Sequence, residues 1–269
     1  SLPQFLEPIK LDWLFIISTL SWGLGYFGMP HILVKFMAIN TSDNIKFSRR
    51  VATVWVIISL AAAVLIGMAG RVLYPDAFLT PSSSENIFIL MSTNFFISIL
   101  AGIVLAGILA AIISSADSYL LISASSISKN IYQGLFNKEA DDKAVLRVTR
   151  LTLLAISLVA ILIALDENSV IFRVVSFAWA GFGATFGPII LFSLFWERTT
   201  RAGAIAGMIA GGATVFIWKL LLNPLGGIFS IYELLPAFLI SCIAIVVASI
   251  LSEGPSEEVK KEFRFVKNY

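Results

Sequence analysis

The feature that most constrains this chain is a series of apolar runs, each long enough to cross a lipid bilayer. They lie near 12–36, 51–73, 97–131, 147–165, 170–196, 202–222 and 233–252. A transmembrane helix needs about 20 mostly apolar residues, because the hydrocarbon core is about 30 Å thick. The sequence is 58% hydrophobic and 13% charged, with a mean hydropathy of +0.91. We therefore predict an all-α polytopic membrane protein with about seven transmembrane helices.

Positive charge is unevenly shared between the two sides of the predicted bundle. Fifteen of the nineteen Lys and Arg lie after the first, third, fifth and seventh runs. The other four are Lys10, Arg71, Arg173 and Lys219. Because cytoplasmic loops carry the excess of Lys and Arg, we expect the first residue outside the cell and the polar tail, 253–269, in the cytoplasm. A first residue on the outside, with no initiating Met and no signal peptide, leads us to expect the C-terminal part of a longer protein.

The scarcity of cysteine and histidine excludes several kinds of site. Cys242 is the single cysteine and lies within an apolar run, so the chain offers neither a disulfide framework nor a cysteine-based metal site. An intramembrane hydrolase built on Asp117 would lack a second acid, and the single histidine, His31, lies on another span. We expect no enzyme activity, no organic cofactor and no nucleic-acid partner.

Polar groups interrupt the third apolar run at its centre. They are Ser114, Ser115, Asp117 and Ser118. A hydroxyl or carboxylate without a partner in hydrocarbon is costly, so these groups must face protein, water or an ion. Because successive helical residues turn about 100°, the three serines share one face, with the backbone carbonyl of Ala111 one turn earlier. Such neutral oxygens suit a hard cation such as sodium; the alternative is bonding back to the preceding turn or packing against another helix.

The first run contains the elements of a helix break. Its glycines and proline are Gly23, Gly25, Gly28 and Pro30. The glycines weaken the helix, and Pro30 lacks the amide that would continue it. Interrupted membrane helices line cavities and are typical of transporter binding sites. Trp22 and Tyr26 share a face before the break, which predicts an aromatic wall for an organic substrate; an interfacial aromatic belt or a close-packing surface is the alternative.

The fifth run has a similar composition. Its central residues include Gly181, Gly183, Gly187 and Pro188. This pattern predicts a second discontinuous or strongly kinked helix, with close helix packing as the alternative explanation of the glycines. Between the second and third runs, the sequence predicts an outer loop and a short amphipathic element that ends near Phe95.

Four stretches with distinctive motifs follow one another along the chain. They are WGLGYFGMPHILVKFMAI, ILAAIISSADSYLL, SFAWAGFGATFGPIILFSLFW and RTTRAGAIAGMIAG. Together they resemble the sodium:solute symporter family, and within it the bacterial sodium/proline symporters. The last stretch fits a family signature in which a basic residue precedes Gly203, Gly207 and Gly211 at set spacings.

The resemblance implies a fold and a domain organisation. The fold would be a five-plus-five inverted repeat of the leucine-transporter type. Residues 1–200 would form the second repeat, with spans near 12–36, 51–73, 97–131, 147–165 and 170–196. Residues 201–252 would form two peripheral spans, and 253–269 the polar tail. The N-terminal repeat would be missing from this chain and would act as its partner.

The same resemblance implies roles for individual residues. Sodium ligands would be the carbonyl of Ala111 and the hydroxyls of Ser114 and Ser115. Substrate-binding residues would be Trp22, Tyr26 and Pro30. A second cation or proton site would involve Asp117 and Ser118, where some relatives place further hydroxyl ligands. Met29 stands where we expect a polar residue, so the substrate can differ from that of the better-known proline carriers.

The resemblance implies sodium-coupled uptake of a small organic solute across the bacterial cytoplasmic membrane. L-proline is the first candidate for that solute. One alternative is a sodium symporter for another amino acid or a carboxylate. Another is a transporter-like membrane sensor, which the short polar tail after Leu251 disfavours because no signalling domain follows it.

Overall fold

The computed structural model describes residues 12–77, 80–165 and 170–267. Within these residues the chain is helical and contains no β-strand. The helices are, in order, α1 (Trp13–Ser21), α2 (Pro30–Met37), α3 (Ser42–Leu73), α4 (Pro81–Ser84), α5 (Ile87–Phe95), α6 (Ser98–Ser125), α7 (Asp142–Ala164), α8 (Ile171–Phe195), α9 (Arg201–Ile217), α10 (Leu234–Leu251) and α11 (Glu257–Lys267). The predicted all-α class is confirmed, and α4 with α5 forms the short element expected to end near Phe95.

Six helices in the described part of the chain are long and apolar enough to cross a membrane. They are α3, α6 with the π-helical turns Ser126–Phe136 that extend it, α7, α8, α9 with the helical turns Trp218–Leu222 and Asn223–Leu225 that extend it, and α10. The remaining predicted span, near 12–36, is divided into shorter helices. The expected outer position of Lys10 falls outside the described residues.

The division of the first span occurs where the sequence predicts a break. After α1 the chain tightens into a 3₁₀ helix, Trp22–Gly28, and Met29 is extended with φ −84° and ψ 114°. Pro30 then opens α2. The residue before a proline is driven away from the helical region, whereas proline itself fits the first turn of a helix. The break therefore falls at Met29.

Two compact units divide the chain, one formed by Ser1–Met37 with Phe172–Tyr269 and the other by Ala38–Ile171. We call them the outer-sequence unit and the central unit, after their places along the chain. The predicted boundary of the second repeat, near residue 200, divides the chain by repeats along the sequence rather than by contacts in space. It stays a prediction.

The outer-sequence unit is packed through glycines. A Cβ on Gly28 would meet the backbone of α8 at Gly183 and Gly187, at 2.9 Å in each case, so the 3₁₀ helix lies directly against α8. The glycine stripe of α9, which comprises Gly203, Gly207 and Gly211, packs on α10 or, at Gly211, also on α8. A hydroxyl on α10 adds a bond here, since Ser241 donates to the carbonyl of Gly207 at 2.9 Å. Close approach of backbones through small residues is typical of membrane helix pairs.

For α8 the prediction of a discontinuous helix is wrong, because α8 continues from Ile171 to Phe195 with Pro188 inside it; its other form, a strong kink, stays a prediction. Proline removes one backbone hydrogen bond, to the carbonyl four residues earlier, which here is Ala184. That carbonyl lies directly against Gly211 of α9. Neighbouring helices can compensate for an internal proline in a membrane helix, and α9 packs on α8 at this position.

The helices of the central unit are joined by fewer contacts. Gly70 of α3 packs against the side chain of Ile87 in α5. The π-helical extension of α6 packs on α7, where the hydroxyl of Thr149 donates to that of Ser128 at 2.8 Å. The extension carries the third span beyond its predicted end at residue 131, to Phe136.

The polar tail contains helix α11. Arg264 on this helix forms an ion pair with Glu197, at 2.8 Å between the guanidinium and the carboxylate. Val259, Phe263 and Val266 line a groove that they share with residues 193–199, at the end of α8. The tail is thus an amphipathic helix that docks on the end of a membrane helix.

Candidate functional site

The substrate-side residues predicted from the sequence lie in the outer-sequence unit, within an aromatic cluster. The ring of Trp22 is nearly parallel to the rings of Trp179, Phe172 and Tyr232, with ring centroids 5.4, 5.5 and 5.7 Å away. Tyr26 meets Trp179 edge to face at 4.9 Å. Offset stacks and edge-to-face pairs at these distances are favourable aromatic arrangements.

Trp22 and Tyr26 differ in how far their side chains are exposed. Trp22 is partly buried, because other aromatic rings stack against it. Tyr26 is 51% exposed. Pro30 is partly buried next to Met29, which is 4% exposed. Of the three predicted substrate residues, Tyr26 therefore offers the largest accessible surface in this chain.

Trp179 of α8 is a residue that the sequence reasoning missed. Its indole Nε1–H donates to the carbonyl of Trp22 at 3.0 Å, and its ring fills the space beside Gly25. The motif SFAWAGFG was recognised for its glycines, which gave no reason to single out the tryptophan. Its partner segment is 157 residues earlier in the chain, a separation that no local pattern reveals.

Tyr232 was also missed, and it brings the segment before α10 to the same cluster. Its hydroxyl donates to the carbonyl of Ser176 at 2.6 Å, and its amide donates to the hydroxyl of Ser18 at 3.0 Å. Burial, followed by the adjacent Glu233 carboxylate, raises the pKa of the Tyr232 hydroxyl above its usual value. The hydroxyl therefore stays protonated, as the hydrogen bond to Ser176 requires.

Glu233 is a second buried polar residue that the sequence did not single out. Its side chain is 2% exposed and pairs with Lys219 at 3.5 Å. It lies beside Tyr232, at the N-terminal end of α10. The pair links the extension of α9 to the start of α10, and its loss would leave the buried Glu233 carboxylate without its counter-charge.

The predicted ion-side residues lie together on α6 in the central unit. Ala111, Ser114, Ser115, Asp117 and Ser118 are all exposed in this chain. Ser118 adopts the alternative arrangement, because its hydroxyl donates back to the carbonyl of Ser114 at 3.1 Å. Within the described part of the chain, the hydroxyls of Ser114 and Ser115 make no hydrogen bond. These two hydroxyls remain available as oxygen ligands.

The substrate-side and ion-side residues belong to different units. Each set is brought together within its own unit, the first by aromatic stacking around Trp179 and the second by one turn of α6. Their roles as ligands remain predictions.

A model of the sodium:solute symporter family matches residues 3–211 of this chain. The chain belongs to the sodium:solute symporter family. Curated members of this family align with nearly all of it. A high-affinity proline transporter of Bacillus subtilis is 44% identical over 92% of this chain and 52% of its own length. The sodium/proline symporters of Haemophilus influenzae and Escherichia coli are each 41% identical, over 92% and 94% of this chain and 50% of their own lengths.

The chain spans about half the length of the curated relatives that it matches. No solved structure matches the chain.

The symporter signature around α9 is explained by helix packing in this structure. Gly203, Gly207 and Gly211 are buried, and each touches α10. The basic residue before them, Arg198, donates to the carbonyl of Ile250 at 3.1 Å. The signature therefore describes how α9 fits α10, and none of its residues lies in the aromatic cluster or on the oxygen face of α6.

Proposed function

We propose that this chain is the C-terminal part of a secondary active transporter that couples inward sodium flow to uptake of a small organic solute, with L-proline as the first candidate. The names of its relatives, which are proline transporters and sodium/proline symporters, support this substrate and this ion. Their length supports the proposal that a further segment of similar size completes the protein. The transporter would lie in the bacterial cytoplasmic membrane, with the N-terminus of this chain outside and its C-terminus in the cytoplasm.

The observation that carries the proposal is the oxygen face of α6. The hydroxyls of Ser114 and Ser115 are exposed and make no hydrogen bond to any described residue. They lie on a helix that is apolar enough to cross a membrane. Such groups are not stable against lipid, so another protein segment must cover them. Neutral oxygens bind sodium without the large cost of burying a fixed counter-charge. We assign the carbonyl of Ala111 to the same sodium site.

The solute is assigned to the broken first span. Interrupted membrane helices expose backbone groups and serve as binding sites in secondary transporters. Here the break at Met29 and Pro30 follows Trp22 and Tyr26 within one helical segment. The exposed ring of Tyr26 offers an apolar wall for the carbon skeleton of an imino acid.

Coupling follows from linkage between the two sites. If sodium favours the conformation with high affinity for the solute, the solute raises the affinity for sodium by the same factor. The inward sodium gradient then drives accumulation of the solute. Asp117 and Ser118, one turn along α6, are the proposed second cation or proton site.

Two alternatives differ in substrate or in class. The first is a sodium symporter for another amino acid or a carboxylate, favoured by the buried, apolar Met29 beside the break. The second is a membrane sensor of the same fold.

Uptake of labelled proline by proteoliposomes tests the proposal. The full-length protein that contains this chain is compared with and without an inward sodium gradient, with this chain alone as the control. We expect sodium-driven accumulation only with the full-length protein. Sodium-driven uptake of other solutes but not proline would move the assignment to the first alternative. Failure to transport any tested solute would contradict the proposed function and favour the sensor.

A further inference from the structure

The 3₁₀ helix Trp22–Gly28 lacks the regular hydrogen bonds that hold an α-helix in one shape. Trp22 and Tyr26, the proposed substrate residues, lie four positions apart in it, which at three residues per turn places them about 120° apart around the helix axis. Their side chains can keep a fixed geometry only if groups outside this short helix hold them. The source of that support is visible in the structure.

Trp179 makes a polar contact with this helix. Its Nε1–H donates to the carbonyl of Trp22 at 3.0 Å. A backbone carbonyl has two lone pairs, so this bond adds to any bond that the Trp22 carbonyl accepts within the 3₁₀ helix. Trp179 thus fixes the backbone of the 3₁₀ helix at its first residue.

The same indole also holds both aromatic side chains. It stacks on Trp22 at 5.4 Å with an interplanar angle of 15°, and it meets Tyr26 edge to face at 4.9 Å and 83°. Between these two residues, Gly25 leaves the space that the indole occupies, since a Cβ there would overlap the ring. One side chain therefore contacts three residues of this helix, Trp22, Gly25 and Tyr26.

Trp179 is itself held in place. It packs on the buried core of the outer-sequence unit, which includes Ala180, Ala184 and Leu234. It also lies in α8, a continuous helix of 25 residues. A rigid element that supports the residues of a site is the usual means of positioning them.

We propose that Trp179 is the positioning residue of the solute site, acting through the backbone of Trp22 and the ring of Tyr26. This inference rests on the proposed function, because it takes Trp22 and Tyr26 as substrate residues. Trp179 does not need to touch the solute. Its loss changes solute affinity through the orientation of Tyr26 and leaves the ion-side residues on α6 unaffected.

The first test replaces Trp179 in the full-length protein. Trp179→Phe keeps an aromatic ring but removes the Nε1–H donor. We expect the KM for proline to rise about fivefold, the effect of losing one buried hydrogen bond, while the maximal rate per molecule and the sodium dependence stay within about twofold.

Trp218→Phe is the matched control. Trp218 lies in the same unit and also donates its Nε1–H to a backbone carbonyl, that of Ile231 at 3.2 Å. Its ring packs at a tilt against Phe229 rather than against Trp22 or Tyr26. We expect an unchanged KM. An unchanged KM in Trp179→Phe, or an equal rise in both variants, would overturn the inference.

Gly25→Ala provides a second variant for the case in which Trp179→Phe does not reach the membrane. The methyl group added to the 3₁₀ helix would overlap the indole of Trp179 and displace it. We expect the same rise in the KM for proline. Should Gly25→Ala transport normally with an unchanged KM, the positioning role would be rejected.

A labelling experiment separates this inference from the proposed function. A cysteine placed by Tyr26→Cys is reacted with a maleimide, in a background where Cys242 is replaced by serine. We expect Trp179→Phe to change the labelling rate at least about threefold, because the segment loses its support, and Trp218→Phe to leave it unchanged. Equal rates would overturn the positioning role whether or not the protein transports proline. Absence of solute transport by the full-length protein that retains Tyr26, together with altered labelling of the Tyr26→Cys variant, would overturn the proposed function alone.

Discussion

The two units of this chain bury their membrane helices to different extents. In α8 and α10 of the outer-sequence unit, 33% of the most apolar window is buried, whereas in α3 and α7 of the central unit none of it is. The first unit brings backbones together through glycines, and the second exposes the greater part of its long helices. In the outer-sequence unit, both helices of each main packing contact therefore belong to the unit itself. The polar face of α6, in contrast, needs a partner surface that the central unit does not supply.

The largest expected effect tests the glycine packing. Gly211→Ala places a methyl group against the backbone carbonyl of Ala184, which cannot move without shifting α8. Overpacking of this kind costs about 1–3 kcal/mol, so we expect a lower midpoint of thermal unfolding for the purified full-length protein in detergent.

Gly102→Ala, on α6 in the central unit, is the control. Among the described residues, no atom beyond its own helix lies within 4 Å of the added methyl group. Alanine is favoured over glycine inside a helix by about 1 kcal/mol, so stability should be equal or higher. A similar loss in both variants would remove the distinction between the two units.

The next prediction concerns the hydroxyls of α6 that are without partners in the described chain. Ser114→Ala and Ser115→Ala should each raise the sodium concentration for half-maximal uptake about tenfold, equivalent to about 1.4 kcal/mol, because each removes one oxygen ligand. Ser126→Ala is the control, since its hydroxyl already donates to the carbonyl of Ile122 at 2.9 Å. Unchanged sodium dependence in both site variants would remove the ion-site assignment.

The sequence was sufficient for features that depend on local chemistry. The apolar runs predicted the membrane helices, and the glycines before Pro30 predicted the break that occurs at Met29. In the fifth run the same residue types do not interrupt the helix, since α8 continues through Pro188. Whether a proline interrupts a membrane helix depends on its neighbours, which a local pattern does not contain.

The candidate site was only partly predictable for a related reason. Periodicity places Ser114 and Ser115 on one face of a helix. It also pairs Trp22 with Tyr26, but it cannot identify Trp179 or Tyr232, whose contacts join segments more than 150 residues apart. The distinction between Ser118, which bonds to its own helix, and Ser114 likewise depends on side-chain rotamers that the sequence does not specify.

A smaller effect is expected for the polar contact that joins α7 to the extension of α6. Thr149→Val keeps the shape of the side chain but removes its bond to Ser128. Hydrogen bonds between membrane helices contribute about 0.6 kcal/mol on average, so a small drop in thermal stability is expected. Thr53→Val is the control, because that hydroxyl bonds only within α3. Should Thr149→Val cost as much as Gly211→Ala, the central unit would depend on polar contacts more strongly than its exposure suggests.

The smallest expected effect tests whether the close packing of the outer-sequence unit extends to its tail. The side chains of Arg264 and Glu197 are 65% and 39% exposed, and exposed ion pairs contribute about 0.2–1 kcal/mol. A double-mutant cycle with Arg264→Met and Glu197→Gln, measured by thermal unfolding, should give a coupling energy in that range at low salt. Near 1 M salt, where the screening length falls to about 3 Å, the coupling should disappear. A larger coupling that persists in salt would mean that α11 is held as firmly as α9 and α10, and the tail would then belong to the packed region.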